Sequence, residues 1–380
     1  MSSSELIEHA GYFRDSRKLA AYQQALDDVV RPGDVVVDLG AGTGLLGLMA
    51  ARAGAGRVYM VDSGSILGAA EEIATRNGYA DRMVPVRGLS TDLALPELAD
   101  VVVCDQIGGF VYDAGVLEYF DDARTRLLKP DGALMPRGFT LHLAPVSALE
   151  ARADVDIWAG SPAGFDTSAV HRLAVNTEWR VRATQVRLSA QPASVARIEA
   201  SSLDPVVAET TYTFTEAVTV DGLLGWFDAE LAEGVHVTNA PDASDRMERW
   251  CNFYPVERPL DVVPGDTLTA SIDLRPRSRH MTWTIEWARD GSRLGRWRHS
   301  TLLGQFLAPD DLARAQRAAA LELTPQGEAV SAALASVDGR TSMKDIVEVV
   351  LAEHRSAFFG SARAQSTLER SLAAWTRVSS

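Results

Sequence analysis

The sequence predicts a doubly wound α/β domain, then an antiparallel β-barrel, then a helical tail. Three observations predict it. Over residues 1–136, short apolar runs alternate with stretches of helical periodicity, the pattern of parallel strands covered by helices on both faces. From Phe139 the texture changes to short segments in which apolar and polar residues alternate, broken by turns such as Pro264-Gly265-Asp266 and Asp290-Gly291. From about Ala308 helical spacing returns, interrupted at Asp338-Gly339-Arg340-Thr341-Ser342. The expected domains are 1–136, 137–305 and 306–380.

Each element has its own justification. Arg14 to Val29 reads as a helix because Leu19, Tyr22, Leu26 and Val29 recur on one face. Val35 to Leu39 is an apolar run suited to a buried parallel strand. A glycine turn follows, then a helix from about Leu45 to Ala53. Further strands are expected at 58–62, 83–86, 100–104 and 133–135. In the second domain alternation marks 140–145, 184–188, 195–200, 210–215, 218–228, 267–274 and 281–287. Residues 150–176 do not alternate and read as an insertion. In the tail, Ala329–Ala335 and Ile346–Leu351 read as helices flanking the turn.

Bulk properties narrow the function classes. The 380 residues are 46% hydrophobic, enough core for two or three domains. The net charge of −14 argues against general affinity for nucleic acid or anionic membrane and is compatible with a cationic substrate. Cys104 and Cys251 form no disulfide framework or metal-ligand spacing, so no metal is expected and a reducing cytoplasm fits. No apolar run reaches membrane-spanning length, and the N-terminus lacks the apolar core of a signal peptide.

The most specific motif is Asp38-Leu39-Gly40-Ala41-Gly42-Thr43-Gly44, with Asp62 18 residues beyond Gly44. The glycines let the chain turn sharply and let backbone N–H groups approach a ligand. The following helix points its N-terminus there, and an acid at the end of the second strand suits ribose hydroxyls. A dinucleotide fingerprint requires a third glycine where Leu45 stands. The D-x-G-x-G-x-G spacing is instead the pattern of S-adenosylmethionine (SAM) methyltransferases. A NAD or FAD site and a ligand-free glycine turn are the alternatives.

Residues 9–305 resemble the protein arginine methyltransferase family, in which a SAM-binding α/β domain precedes a β-barrel carrying a dimerisation arm. Several motifs match in order. His9-x-x-Tyr12-Phe13-x-Asp15-x-x-Lys18 resembles the N-terminal helix that closes over the cofactor, with Lys18 where the family has an arginine for the SAM carboxylate. Asp38 to Gly44 and Asp62 match the cofactor motifs, and Gly88-Leu89-Ser90 falls where the family contacts adenine. Leu128 to Leu134 resembles the turn and strand before the barrel. Trp158 and Gly164 to Ser168 resemble the arm. Arg246 to Trp250, with Phe253 and Tyr254, resembles the barrel loop that approaches the substrate. The resemblance implies that Tyr12, Phe13, Lys18, Asp38, Gly40, Gly42, Gly44, Leu45, Asp62, Ser63, Gly88, Leu89, Ser90 and Asp105 line the cofactor site. It also implies a homodimer through the arm.

Two departures concern the acceptor. The family clamps a guanidinium with two glutamates. Here the first falls on Asp105, one methylene shorter, and the second on Ala114, with Asp113 and Glu118 nearby. The barrel loop's histidine falls on Arg249, while its tryptophan is kept as Trp250. Two carboxylates would fix a guanidinium by paired hydrogen bonds and aim one nitrogen at the methyl donor. Asp105 is expected to be functional because it follows a strand at the cofactor edge. Glu118 is either its partner or a solvated helix acid, and Asp113 either lines the site or is a loop acid. Arg249 either binds a substrate carboxylate or is a surface arginine on a long loop. Gln106 and Trp250 are further candidates for substrate contact, and His9 for catalysis, a structural role being its alternative.

The expected reaction is N-methylation of a guanidinium or related nitrogen, in an arginine-like metabolite or a peptide. The alternatives are a natural-product or peptide methyltransferase with another N-, O- or C-nucleophile, and a SAM-binding protein without turnover. About 30 residues of the tail resemble small winged-helix modules, including the leader-peptide-binding kind, a structural appendage being the alternative. Residues 301–380 hold 8 Lys/Arg against 9 Asp/Glu, which disfavours DNA binding.

Overall fold

The computed structural model describes residues 3–306, 320, 322–354, 357–358 and 361–376. The chain divides into two compact units, Met1–Phe306 and Leu307–Ser380. The first unit begins with α1 (Ser3–Arg14) and α2 (Ser16–Val29). One helix was expected from Arg14. Asp15 breaks it, because its carboxylate caps α2 by accepting the Lys18 N–H at 3.1 Å.

Five strands then form a parallel sheet: β1 (Val35–Leu39), β2 (Arg57–Asp62), β3 (Met83–Arg87), β4 (Ala99–Cys104) and β5 (Leu128–Met135). The order is β3-β2-β1-β4-β5, so the chain reverses direction of growth between β1 and β4. All five residues of β1 are buried, as its apolar run requires. Helices α3 (Leu45–Ala53), α4 (Leu67–Arg76) and α5 (Val116–Arg126) complete this layer. The carboxyl ends of β1 and β4 lie side by side, with Leu39 opposite Cys104, and open the crevice in which a ligand of this fold binds.

The antiparallel half starts at β6 (Gly138–Ser147) and is interrupted by α6 (Leu149–Asp156) and α7 (Ser168–Ala174), the expected insertion. It continues through β7 (Trp179–Val181), β8 (Arg187–Leu188), β9 (Ala193–Glu199), β10 (Val206–Thr213), β11 (Val218–Ala232), β12 (Val235–Thr238), β13 (Cys251–Val262), β14 (Thr267–Arg275), β15 (His280–Arg289) and β16 (Ser292–Ser300). One sheet runs β10-β14-β15-β16, the other β7-β13-β11-β6-β8. Residues of both, such as Leu223, Tyr254, Ile272 and Trp283, share one core with the parallel layer.

Four strands escaped the alternation: the short β7 and β12, and the long β13 and β16. In β13 two prolines interrupt the pattern, and the ladder accommodates them with a register shift: Leu260 pairs with Val220 but Pro255 with Gly222. In β16 arginines crowd an exposed strand, where only His299 is fully buried. The second unit contains helices Pro325–Ala335, Met343–Glu353 and Ser361–Trp375 among the described residues, and no strand. The helical part of the tail expectation is thus what the structure describes. No helix among the described residues is long and apolar enough to cross a membrane.

Candidate active site

The glycine turn sits at the β1 end of the crevice. Gly40, Gly42 and Gly44 have φ of 72°, 53° and 76°, the left-handed region where any other residue is strained. The turn delivers the chain into α3 at Leu45, with Gly44 as its cap. Asp62, at the end of β2, accepts the Gly42 N–H at 2.8 Å and the Gly64 N–H at 2.7 Å, which fixes its carboxylate beside the turn and next to Ser63. Asp38 is buried beneath and accepts the Gly47 N–H at 2.8 Å. Burial pushes its carboxyl up to about 7, against the pull of that hydrogen bond. Gly88 donates to the Asp62 carbonyl at 3.0 Å, so Gly88, Leu89 and Ser90 lie alongside. Leu89 is exposed, as a contact face for a planar ring would be.

The N-terminal helices form the opposite wall. A side chain at Gly42 would strike the His9 ring, and one at Gly40 the Gln106 side chain. His9 meets Tyr12 edge-on at 5.6 Å, and the Lys18 ammonium lies 4.7 Å from the Tyr12 ring centroid. Phe13 is exposed on the same helix. Asp15, besides capping α2, accepts the Glu248 N–H at 2.7 Å, and Arg17 donates to the Ser244 carbonyl. These contacts pin the loop before β13 against the N-terminus.

Asp105 is the hub. It follows β4, and its two carboxylate oxygens hold different cations: Lys18 Nζ at 2.5 Å and Arg249 Nη2 at 2.6 Å. Arg249 also donates to the Asp105 carbonyl at 3.0 Å and the Gly108 carbonyl at 3.4 Å. Tyr22, which the periodicity placed simply in the core, donates its hydroxyl to the Cys104 carbonyl at 3.1 Å and reaches Asp105 Oδ1 at 3.4 Å. Burial pulls the Arg249 guanidinium down, but Asp105, with Tyr22, Tyr12 and Asp113, together outweighs it and holds Arg249 above its ordinary value. The surface alternative for Arg249 is therefore wrong: only 14% of its side chain is exposed. The triad of one anion and two cations carries a net positive charge, with Lys18 4% and Asp105 18% exposed.

The other candidate acids are committed elsewhere. Asp113 accepts the N–H groups of Gly109 and Phe110, each at 3.0 Å, so it shapes the loop. Glu118 pairs with Arg279 at 2.9 Å, a cation different from those at Asp105. Asp105 and Glu118 are not a ready clamp in this arrangement. The Trp250 ring is 39% exposed and is covered by the Arg182 guanidinium at 4.2 Å. Its carbonyl accepts from Asn239, whose amide also reaches the Gly109 carbonyl, at 2.7 and 2.9 Å. Asn239 thus ties the substrate loop to the barrel, a role no local motif announced. Both cysteines are buried with thiols pushed up to about 12 by desolvation, so neither is a nucleophile.

Comparison with known proteins agrees with this architecture. A family model described as ribosomal protein L11 methyltransferase (PrmA) matches residues 21–141. An arginine N(omega)-methyltransferase of Streptomyces achromogenes subsp. streptozoticus is 30% identical over 273 residues, covering 68% of this chain and 74% of that protein. A protein arginine N-methyltransferase 1 of Chlamydomonas reinhardtii is 25% identical over 299 residues, covering 75% and 86%. Among solved structures, the PRMT1 enzyme–prozyme heterotetrameric complex with AdoHcy of Trypanosoma brucei superposes with a TM-score of 0.66 at 21% identity, covering 77% of this chain and 97% of that one. Protein arginine methyltransferase 10 of Arabidopsis thaliana gives 0.64 at 21% identity, covering 78% and 98%.

Proposed function

The chain belongs to the arginine N-methyltransferase family, and from that premise we propose that it methylates a guanidinium nitrogen of an arginine-like acceptor with SAM as donor. The observation that carries this reading is Asp105. At the crevice beside the glycine turn, this carboxylate already holds a guanidinium, the chain's own Arg249, at 2.6 Å.

The residues at the crevice fit the donor. The left-handed glycines, with no side chains, keep the turn clear for a ligand, Asp62 offers its carboxylate at the ribose position, and His9, Tyr12 and Phe13 form a wall above. Lys18 belongs to a triad with one excess positive charge, which an incoming carboxylate neutralises. When bound, SAM supplies an electrophilic methyl group. The protein's task is then to hold and aim the acceptor nitrogen, and Asp105 is the group that orients it. Gln106, lying over Gly40, borders both ligands. His9 packs on the glycine turn and on Tyr12, which suits ordering of the cofactor wall better than proton transfer.

Arg249 bears on the choice between a free amino acid and a peptide arginine. A buried guanidinium beside the acceptor site suits the α-carboxylate of a free arginine-like molecule, once the acceptor's own guanidinium replaces it at Asp105. An acceptor of another chemistry, or binding without turnover, has no comparable support. The insertion exposes Leu149, Ile157 and Phe165, apolar surface suited to homodimer formation. Incubating the protein with SAM and either L-arginine or an arginine peptide, with S-adenosylhomocysteine release and the added methyl mass as readouts, tests the reading. Turnover is expected with L-arginine. No methylation of either acceptor refutes it.

A further inference from the structure

Ala114 leaves the substrate loop without its second carboxylate, and Asp113 and Glu118 are engaged by Gly109, Phe110 and Arg279. The barrel brings another acid to the same place. Glu178 immediately precedes β7, and β7 pairs with β13 just beyond Trp250, with Phe253 opposite Trp179 and Cys251 opposite Val181. Glu178 is accessible to solvent and makes no ion pair among the described residues. Its carboxylate receives one long hydrogen bond, from Asn252 Nδ2 at 3.4 Å.

Asn252 ties Glu178 to the loop. It is 1% exposed, and its Oδ1 has no hydrogen-bond partner. A buried acceptor left without a donor costs about 1–3 kcal/mol, so such groups are ordinarily matched. This oxygen packs against Gly109, where any side chain would strike it, so Asn252 links the Glu178 carboxylate to the substrate loop. Resting on the reading of a guanidinium acceptor, we infer that Glu178 is the second carboxylate of the acceptor site, supplied by the barrel in place of Ala114 and held beside the substrate loop by Asn252. A guanidinium suits a second carboxylate because its planar fork of five donors serves two carboxylates together.

The electrostatics agree. The charged and polar groups facing Glu178 are Asp113 from the loop, Arg180 from β7, and Asn252 and Tyr254 from β13. Partial desolvation of the carboxyl, on a residue that is exposed as a whole, and then the charge of Asp113 raise Glu178 to about 7, against the pull of Arg180 and the Asn252 amide. A cation that binds here ionises it. Acceptor affinity therefore rises with pH, about tenfold per unit well below 7, and levels off above it.

The test is calorimetric titration of L-arginine into the protein saturated with S-adenosylhomocysteine, at several pH values, for wild type, Glu178→Gln and Glu178→Asp. Glu178→Gln is expected to weaken L-arginine binding at least tenfold at pH 8 and to flatten the pH dependence. Glu178→Asp should recover part of both, and S-adenosylhomocysteine affinity should not change. Equal L-arginine affinity and pH dependence in wild type and Glu178→Gln overturn the assignment while leaving the methyltransferase reading intact. A wild type that neither binds nor methylates L-arginine or an arginine peptide overturns both.

Discussion

Replacing Asp105 by Asn removes the anion that bridges Lys18 and Arg249, and its cost follows from the contacts. Wild-type Asp105 accepts charge-assisted bonds from Lys18 and Arg249 at 2.5 and 2.6 Å. Each is worth about 1.5–3 kcal/mol, together about 3–6 kcal/mol. The Asn carbonyl keeps one ordinary hydrogen bond, about 1 kcal/mol, leaving a net loss of about 2–5 kcal/mol. Lys18 and Arg249 then face each other unneutralised, which places the result toward the upper end. With a urea m-value of about 3 kcal/mol/M, the unfolding midpoint should fall by about 0.7–1.7 M. Arginine methylation should be lost, because the orienting carboxylate is gone. S-adenosylhomocysteine should still bind, since Lys18 is freed to meet its carboxylate. Urea titration followed by tryptophan fluorescence, calorimetry and a turnover assay measure the three effects. A variant that unfolds at the wild-type midpoint and methylates arginine at the wild-type rate refutes the hub.

Three further outcomes follow from the same geometry. Arg249→Met should erase discrimination between L-arginine and its decarboxylated analogue agmatine, bringing the ratio of their kcat/KM values near one; an unchanged ratio removes Arg249 from substrate recognition. Asp38, raised from 3.8 to about 7, binds a proton on folding across that window, so wild-type stability falls as pH rises from about 4 to 7. Asp38→Asn should remove about 1–4 kcal/mol of that fall, read as the difference between unfolding free energies at pH 8 and pH 5; a pH profile identical to wild type contradicts it. Phe165→Asp, on the 73% exposed arm residue, should convert a dimer to a monomer in sedimentation velocity, and an undisturbed dimer places the interface elsewhere.

The parallel layer was legible because its signals are local. An apolar run, three alternate glycines and an acid after the next strand fixed β1, the turn and Asp62 without reference to the rest of the chain. Asp105 was legible for the same reason, as the residue ending a strand at the crevice. What the sequence hid depends on partners far along the chain. Glu118 looked available until Arg279 arrived from the barrel, 161 positions away. Asp113 read as either a site acid or a loop acid, and its neighbours' N–H groups make it the latter. Tyr22 belonged to a helical stripe, and only the fold brings its hydroxyl to Cys104 and Asp105. Asn239, Asn252 and Glu178 carry no motif. Their roles come from a barrel meeting a loop more than 60 positions distant in sequence.

Two departures from the family's pattern that look separate in sequence are one in space. Residue 105 loses a methylene relative to the family's glutamate, and residue 249 exchanges a histidine for a longer arginine. The structure joins these two positions in one ion pair at 2.6 Å. The reach given up on one side is recovered on the other, so a contact between the substrate loop and the barrel loop persists with its lengths redistributed. A shortened Asp105 opposite histidine would leave a gap at a site where only 18% of the carboxyl side chain is exposed. A full-length glutamate opposite Arg249 would crowd the Gly108 carbonyl that Arg249 also uses. The second carboxylate departs by another route, because residue 114 is an alanine. With Arg249 filling the Asp105 side, the loop acids turn to backbone and barrel partners. The carboxylate inferred to take the missing place is the one that the barrel carries at Glu178, beside Asn252.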